Sequence, residues 1–145
     1  MTKAPKSKPE ETITLGTGAL APGEIDLILK HLPVDVSFVG ADDTVRYYSE
    51  TPDRIFKRTP AVIGRKVQNC HPGKSVHLVE AILTAFKSGA TDTAEFWIEL
   101  GGRFIHIRYF AVSDEARAYR GCLEVSQDVT AIRALEGQRR LLDWT

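Results

Sequence analysis

The sequence predicts an α+β protein: a five-stranded antiparallel sheet with helices on one face and flanking helices at the N- and C-terminal sides. Three observations carry this. The segments follow one another as ββ, helices, βββ, and helices grouped beside an antiparallel sheet define the class. Gly101-Gly102 separates two alternating runs, and glycine's tolerance of positive φ suits a two-residue hairpin turn there. Residues 76–88 carry the apolar spacing of one amphipathic helix, closed by a glycine.

The elements follow in order. Residues 1–12 combine Pro, Lys, Ser and Glu with little to bury, which predicts a mobile tail. Ile13 to Leu20 reads as a short strand or an ordered arm. Pro22 suits the first turn of a helix running to about His31. Ile25, Leu27, Ile28 and Leu29 give that helix a broad apolar face. Pro33 ends it, because proline disfavours the helical region in the residue before it. Val34 to Val39 and Val45 to Ser49 are β-rich around the turn chemistry of Gly40-Ala41-Asp42-Asp43, a hairpin. Pro52 to Gly64 reads as short helical turns broken by Pro60. Ser75 is a candidate cap for the next helix, and Gly89 stands just beyond its end. Val76, Val79, Leu83 and Phe86 recur at spacings of three and four, with Ile82 widening that face. Three strands remain, Thr93 to Leu100, Arg103 to Val112 and Tyr119 to Val129. A terminal helix is predicted from Thr130 to Trp144, with Ile132, Leu135 and Leu142 on one side.

A Gly101-Gly102 turn fixes a register. Leu100 then faces Arg103, Ile98 faces Ile105, Phe96 faces Ile107 and Ala94 faces Tyr109. On the other face Glu99 meets Phe104, Trp97 meets His106, and Glu95 meets Arg108. The last pair supports the register, since opposite charges across strands contribute roughly 0.2–1 kcal/mol. A slip of one residue would invert every assignment. The set with Phe96, Ile98, Ile105, Ile107 and Tyr109 is the better inner face, packing on the Val76–Phe86 helix. Along the last strand Cys122, Glu124 and Ser126 alternate with Leu123, Val125 and Gln127.

Composition narrows the function classes. The 145 residues are 43% hydrophobic, an ordinary globular value, and 19 basic residues balance 19 acidic ones. Lys and Arg are scattered rather than striped, so nucleic acid is not an expected partner. No apolar run approaches the ~18 residues of a membrane span. Two cysteines are too few for a disulfide framework, and a cytoplasmic setting is expected. No Gly-rich phosphate loop, nucleophile elbow, HExxH string or carboxylate pair at a recognisable spacing is present, so no catalysis is expected. Cys70, His71 and His77 lack the ligand spacing of a zinc site, and no metal site is expected.

The stretch GRFIHIRYFAVSDEARAYRGCLEVSQDVTAI from Gly102 to Ile132, with its Asp128-Val129-Thr130 exit, resembles the closing strands of a PAS domain. Ile63-Gly64-Arg65 and His71-Pro72 sit where many such domains carry an "I-G … H-P" pattern. The resemblance spans roughly Glu24 to Thr130. It implies the order of elements read above, a ligand space between helix and sheet, and a sensor or dimerisation role. Counting back from Asp128-Val129-Thr130, as in light-sensing relatives, puts Cys122, Glu124 and Ser126 inward. The implied ligand-binding set is Val79, Leu83 and Phe86 from the helix, Phe96, Ile98, Ile105, Ile107 and Tyr109 from the middle strands, and Cys122, Glu124 and Ser126. An ionised Glu124 there needs a partner; Arg46, Arg54, Arg65 and the Tyr47 and Tyr109 hydroxyls are the candidates.

The opposite face carries Trp97, Phe104, His106, Phe110, Leu123 and Val125, too apolar a patch to leave in water. The Glu24–His31 helix, the terminal helix and a second subunit are its candidate covers. PAS dimers commonly use this face, so a homodimer through Trp97, Phe104, Phe110, Leu123 and Val125 is expected. Asp128 and Thr130 are the implied signal relay, with Thr130 capping the helix that follows.

Two cofactors follow from the resemblance. Haem-binding PAS sensors use a histidine on the long helix, which makes His77 the candidate ligand. At about 100° per residue, however, His77 falls with Glu80 and Thr84 opposite the apolar face. Flavin-binding relatives carry a reactive cysteine in an N-C-R-F-L-Q string. Here His71-Pro72-Gly73-Lys74 follows Asn69-Cys70, and Ile105 and Ser126 occupy the flavin-binding positions, so flavin is not expected.

The run IGRKVQNCHP at 63–72, followed by Lys74-Ser75-Val76-His77 and Ala94-Glu95-Phe96-Trp97-Ile98, is more specific. With FIHIRYFAV at 104–112 and LEGQRRLLDW at 135–144, it resembles a PAS subfamily often found C-terminal to haemerythrin-like domains in bacterial and archaeal proteins. The chain is thus expected to comprise a tail (1–12), an arm and flanking helix (13–31), a PAS domain (32–130) and a C-terminal helix (131–145). The expected function is a sensor of a small molecule relaying to a separate signalling partner; the alternative is a ligand-free dimerisation module.

Overall fold

The computed structural model describes residues 11–144 and divides the chain into two compact units, one ending at Leu32 and one beginning at Pro33. Of the tail expected over residues 1–12, only Glu11 and Thr12 fall among the described residues.

In the first unit, β1 (Ile13–Thr14) pairs antiparallel with β2 (Ala19–Leu20) around a turn in which Leu15 N–H donates to Gly18 O at 2.9 Å. Helix α1 (Pro22–His31) starts on Pro22, whose missing N–H costs nothing in a first turn. The Glu24 carboxylate accepts the Ala21 N–H at 2.9 Å, and Lys30 reaches Asp26 at 2.8 Å one turn apart. The helix stops at Leu32, ahead of Pro33.

The second unit is built on a five-stranded antiparallel sheet of order β4-β3-β7-β6-β5. Its strands are β3 (Asp35–Gly40), β4 (Val45–Tyr48), β5 (Thr93–Leu100), β6 (Arg103–Ser113) and β7 (Tyr119–Asp128). The last strand in sequence is central in space, paired with β3 on one side and β6 on the other. The β5–β6 register is the one the glycine pair dictates, with Ile98 opposite Ile105, Phe96 opposite Ile107 and Ala94 opposite Tyr109. Gly101 and Gly102 both take positive φ, as that turn requires.

Between β4 and the long helix α2 (Val76–Ser88), the chain makes two 3-10 turns, Pro60–Val62 and Val67–Cys70. Pro60 opens the first turn rather than breaking a longer one. Ser75 holds the N-cap position of α2, but its hydroxyl does not bond the first turn: it donates to Pro72 O at 3.2 Å. The C-terminal end follows expectation, with Gly89 at φ +77 and Ala90 N–H donating to Ala85 O. Val39, Val45, Val67, Leu83, Phe86 and Cys122 form the buried core between α2 and the sheet.

The terminal helix expected over 131–145 is not formed. Helix α3 (Thr130–Arg133) is one turn, Gly137 takes a left-handed φ of +65, and only a 3-10 turn at Leu141–Asp143 follows. Leu135, Leu141, Leu142 and Trp144 are exposed. A short helix is marginal in water without a surface on which to bury its apolar side, and these side chains have none.

Gly121 marks a close approach in the sheet. It lies opposite Gly40 on β3 and Val112 on β6, with φ +150. A Cβ there would overlap the Val39 carbonyl and stand 2.7 Å from the Phe38 ring. Gly121→Ala is expected to destabilise the fold by about 2–4 kcal/mol. Gly73→Ala, with nothing within 4 Å of the new methyl, should stay within ~0.5 kcal/mol of wild type when both variants are compared by urea titration.

Candidate functional site

The strand alternation puts Val39, Tyr109, Cys122 and Glu124 on the face toward α2, and α2 answers with Val79, Ile82 and Leu83. Together with Val67 and His71 these side chains enclose a cavity of about 30 Å³. That is room for roughly one water molecule. One carboxylate ties the cavity's walls together. Asp43, in the β3–β4 turn, accepts from Lys87 Nζ in the last turn of α2 at 2.9 Å and from Gln68 Nε2 at 3.1 Å.

The expected ligand-binding residues separate into groups. Val79, Leu83, Tyr109, Cys122 and Glu124 line the cavity. Phe86 is buried in the adjoining core, and Ile105 and Ser126 are buried without reaching the cavity. Ile107 is half-buried and also off the lining. Phe96 and Ile98 lie on the predicted face yet remain 46% and 39% exposed. The reason is lateral: α2 packs on β7 and the Val67–Cys70 turn, whereas β5 is the outermost strand. Val39, Val67, His71 and Ile82 also line the cavity. For His71 the only sequence signal was the His-Pro pair, which has a purely structural reading as a turn.

Glu124 is 19% exposed and has an ion-pair contact that the candidates Arg46, Arg65 and Tyr47 do not supply. Arg58 Nη2 stands 3.9 Å from its Oε2. Arg58 is placed by a network across the end of β3. Asp35 accepts from Ile55 N–H at 2.6 Å and from the Thr51 hydroxyl at 2.8 Å. Arg54 donates to Phe56 O, Ser49 O and Ser37 Oγ at 2.7–2.9 Å. Arg46 instead meets Asp42 on the exposed hairpin.

Burial dominates the electrostatics. It pushes the Glu124 carboxyl above its ordinary range; Arg58 and then Arg54 oppose this, while Asp35 adds to it. The Tyr109 phenol is raised by burial and then by Glu124. The Cys122 thiol is pushed up to about 12 by burial, then by Glu124 and Asp43. His71 is held below its ordinary value by burial, then by the Arg58 charge. At neutral pH the cavity therefore presents an uncharged imidazole, phenol and thiol beside one perturbed carboxyl. The side chains of His71, Tyr109 and Glu124 make no hydrogen bond with any described residue.

Haem does not fit. His77 is exposed and absent from the lining, as its helical phase required, and the cavity is water-sized. Among the described residues no cluster of His, Cys, Asp and Glu could hold a metal ion.

At the exit of β7, Asp128 Oδ1 accepts from Thr130 N–H at 3.0 Å and from its hydroxyl at 2.6 Å. These bonds hold the Asp128 carboxyl below its ordinary range. Thr130 is not the helix cap: Val129 holds that position, and Thr130 Oγ1 accepts from Phe104 N–H at 2.8 Å. The exit motif thus fastens the end of β7 to the start of β6. On the opposite face of the sheet, Phe104, Phe110, Leu123 and Val125 are half-buried, and Trp97 is 62% exposed. Arg133 lies 3.8 Å over the Phe104 ring and Arg108 5.7 Å over Phe110. Glu95 faces Arg108 in register, but its carboxylate bonds His106 Nε2 at 2.6 Å.

A family profile described as "PAS domain" matches residues 25–130. The chain belongs to the PAS family. A crystal structure of a C-terminal domain from Streptococcus mutans is similar at 33% identity and a TM-score of 0.84, covering 89% of this chain and 100% of that one. The PAS domain of Bordetella pertussis BvgS shares the fold at 15% identity, TM-score 0.56, covering 74% and 85% of the two chains. So does a sensory box sensor histidine kinase from Vibrio cholerae, at 14% identity, TM-score 0.52, covering 74% and 90%. No protein of curated function matches the chain. No helix among the described residues is long and apolar enough to cross a membrane.

The raised Glu124 carboxyl has a definite pH signature. Its folded-state value lies above its unfolded one, so the native PAS domain holds the extra proton in the window that opens near 4.5 and extends upward. Stability from this group is fully present below that window and is lost as pH rises through it. Glu124→Gln should remove the slope, so that the variant gains on wild type from pH 4 toward pH 8 in urea titrations. His71 contributes in the opposite sense in both proteins, so the difference between them isolates Glu124.

Proposed function

We propose that this PAS domain is a sensory module that binds a small polar molecule between α2 and the sheet and passes the change along β7 to α3. The observation that carries this reading is the convergence of His71, Tyr109 and Glu124 on one cavity without hydrogen bonds to any described residue. An apolar pocket with a few convergent polar groups is the usual form of a ligand site. A molecule larger than water displaces α2 from the sheet, which supplies the two states that a ligand can tell apart. The link between β7 and β6 at Asp128, Thr130 and Phe104 is the point where strand movement reaches α3.

Membership of a family that includes PAS domains of sensor kinases supports the signalling role. The runs at 63–72 and 135–144 support the narrower reading, the subfamily often found C-terminal to haemerythrin-like domains. The reading places the module in the cytoplasm, gives it a separate signalling partner and includes no catalytic step.

Native mass spectrometry and an absorption spectrum of the purified protein test the cavity. A retained small mass is expected, and Leu83→Trp should remove it while the circular dichroism stays native, at a cost of about 1–3 kcal/mol from overpacking. Retention of the mass by that variant overturns the reading.

Trp97 favours a homodimer as well. A tryptophan exposed beside half-buried Phe104, Phe110, Leu123 and Val125 has the character of an interface anchor. Trp97→Glu is expected to turn dimers into monomers in light scattering. A dimer that persists would place the contact elsewhere.

A further inference from the structure

Outside the cavity, the segment after β4 and the start of β6 line a groove of about 430 Å³, within the size range of small-molecule sites. Four cations, Arg54, Lys57, Arg58 and Arg103, outnumber two acids there, Glu50 and Asp53. The cations differ in their commitments. Arg54 spends its donors inside the protein, on Phe56, Ser49 and Ser37. Lys57 makes no hydrogen bond or ion pair with any described residue. Arg58 is 27% exposed, and its single ionic contact, 3.9 Å from Glu124, is too long for a hydrogen bond. A guanidinium carries five N–H donors in a planar fork, and this fork makes no hydrogen bond with any described residue at the edge of the groove.

We propose that the groove binds a small oxyanion, the carboxylate or phosphate group of a metabolite, on the Arg58 fork with Lys57 and Arg103 beside it. The planar fork matches such groups two bonds at a time, which a lone ammonium cannot do. Tyr48, stacked 5.3 Å from Arg54 on the groove wall, adds a flat surface for the body of the molecule. The site stands apart from the cavity and does not depend on the cavity's having a ligand.

Arg58 nevertheless joins the two. Glu124 meets Arg58 and Arg54 from this segment, Asp35 from β3, Tyr109 from β6 and Cys122 on its own strand. Of its two cations, Arg54 is held by bonds to Phe56, Ser49 and Ser37, whereas Arg58 makes no hydrogen bond with any described residue. An oxyanion in the groove competes with Glu124 for that guanidinium, so filling the groove changes the charge that faces the cavity. Removing the Glu124 charge removes the competitor.

Calorimetric titration of the full chain with inorganic phosphate, and separately with citrate, at low ionic strength tests this. Saturable binding is expected, weakened at least tenfold by Arg58→Met and several-fold by Lys57→Met. Glu124→Gln should tighten it several-fold. Arg46→Met, on an exposed residue paired with Asp42 outside the groove, should leave it unchanged. If Arg58→Met fails to fold, Lys57→Met and Glu124→Gln decide the matter. Three results overturn the proposal: no saturable binding of either anion at millimolar concentration, wild-type binding by the groove variants, or an equal loss in Arg46→Met, which would signal unspecific charge attraction.

Discussion

Strand β7 has hydrogen-bonded neighbours on both sides, and everything distinctive about this domain follows from what that central strand carries. A strand in that position has one face turned wholly to the core, and here the inward set is Cys122, Glu124 and Ser126. A carboxyl in the middle of a sheet, 19% exposed here, keeps little of its hydration. It either keeps its proton or draws a cation to itself. The loop after β4 supplies the cation, and the hydrogen bonds of Asp35, Ser49 and Arg54 that order this loop are what bring Arg58 over the strand.

The same central position gives β7 its mechanical reach. Through Gly121 to Ser126 it pairs with the whole of β3, and its last residues are locked through Thr130 to the first residues of β6. Under the proposed function, a shift at Glu124 moves two neighbouring strands and arrives at α3 without a dedicated linker. The Asp128 and Thr130 pair matters here as a clasp between strands rather than as a helix cap.

Much of this was legible in the sequence, and the parts that were not share a cause. Gly101-Gly102 fixed the β5–β6 register because a two-residue turn permits only one pairing, and the alternation then assigned the faces. Alternation says which way a side chain points but not what stands over it. Phe96 and Ile98 point as expected yet lie beyond the edge of α2. Arg58 lies in an irregular segment with no period, so nothing in its neighbours revealed its reach to Glu124. Glu95 and Arg108 face each other, but the diagonal His106 was within reach as well. The terminal segment had helical spacing at Ile132, Leu135 and Leu142, but spacing alone does not provide a surface to pack on, and Gly137 interrupts the run.

The outermost strand has a further consequence for handling the protein. β5 is eight residues long, its outer hydrogen-bonding edge is not paired in the sheet, and Phe96, Trp97, Ile98 and Leu100 stand exposed along it. An unprotected edge of that composition is a template for stacking chain upon chain. Only Glu95 and Glu99 interrupt its apolar run, and they act as gatekeepers through their charge. The solubility of this domain is therefore governed at its margin by two side chains of one edge strand.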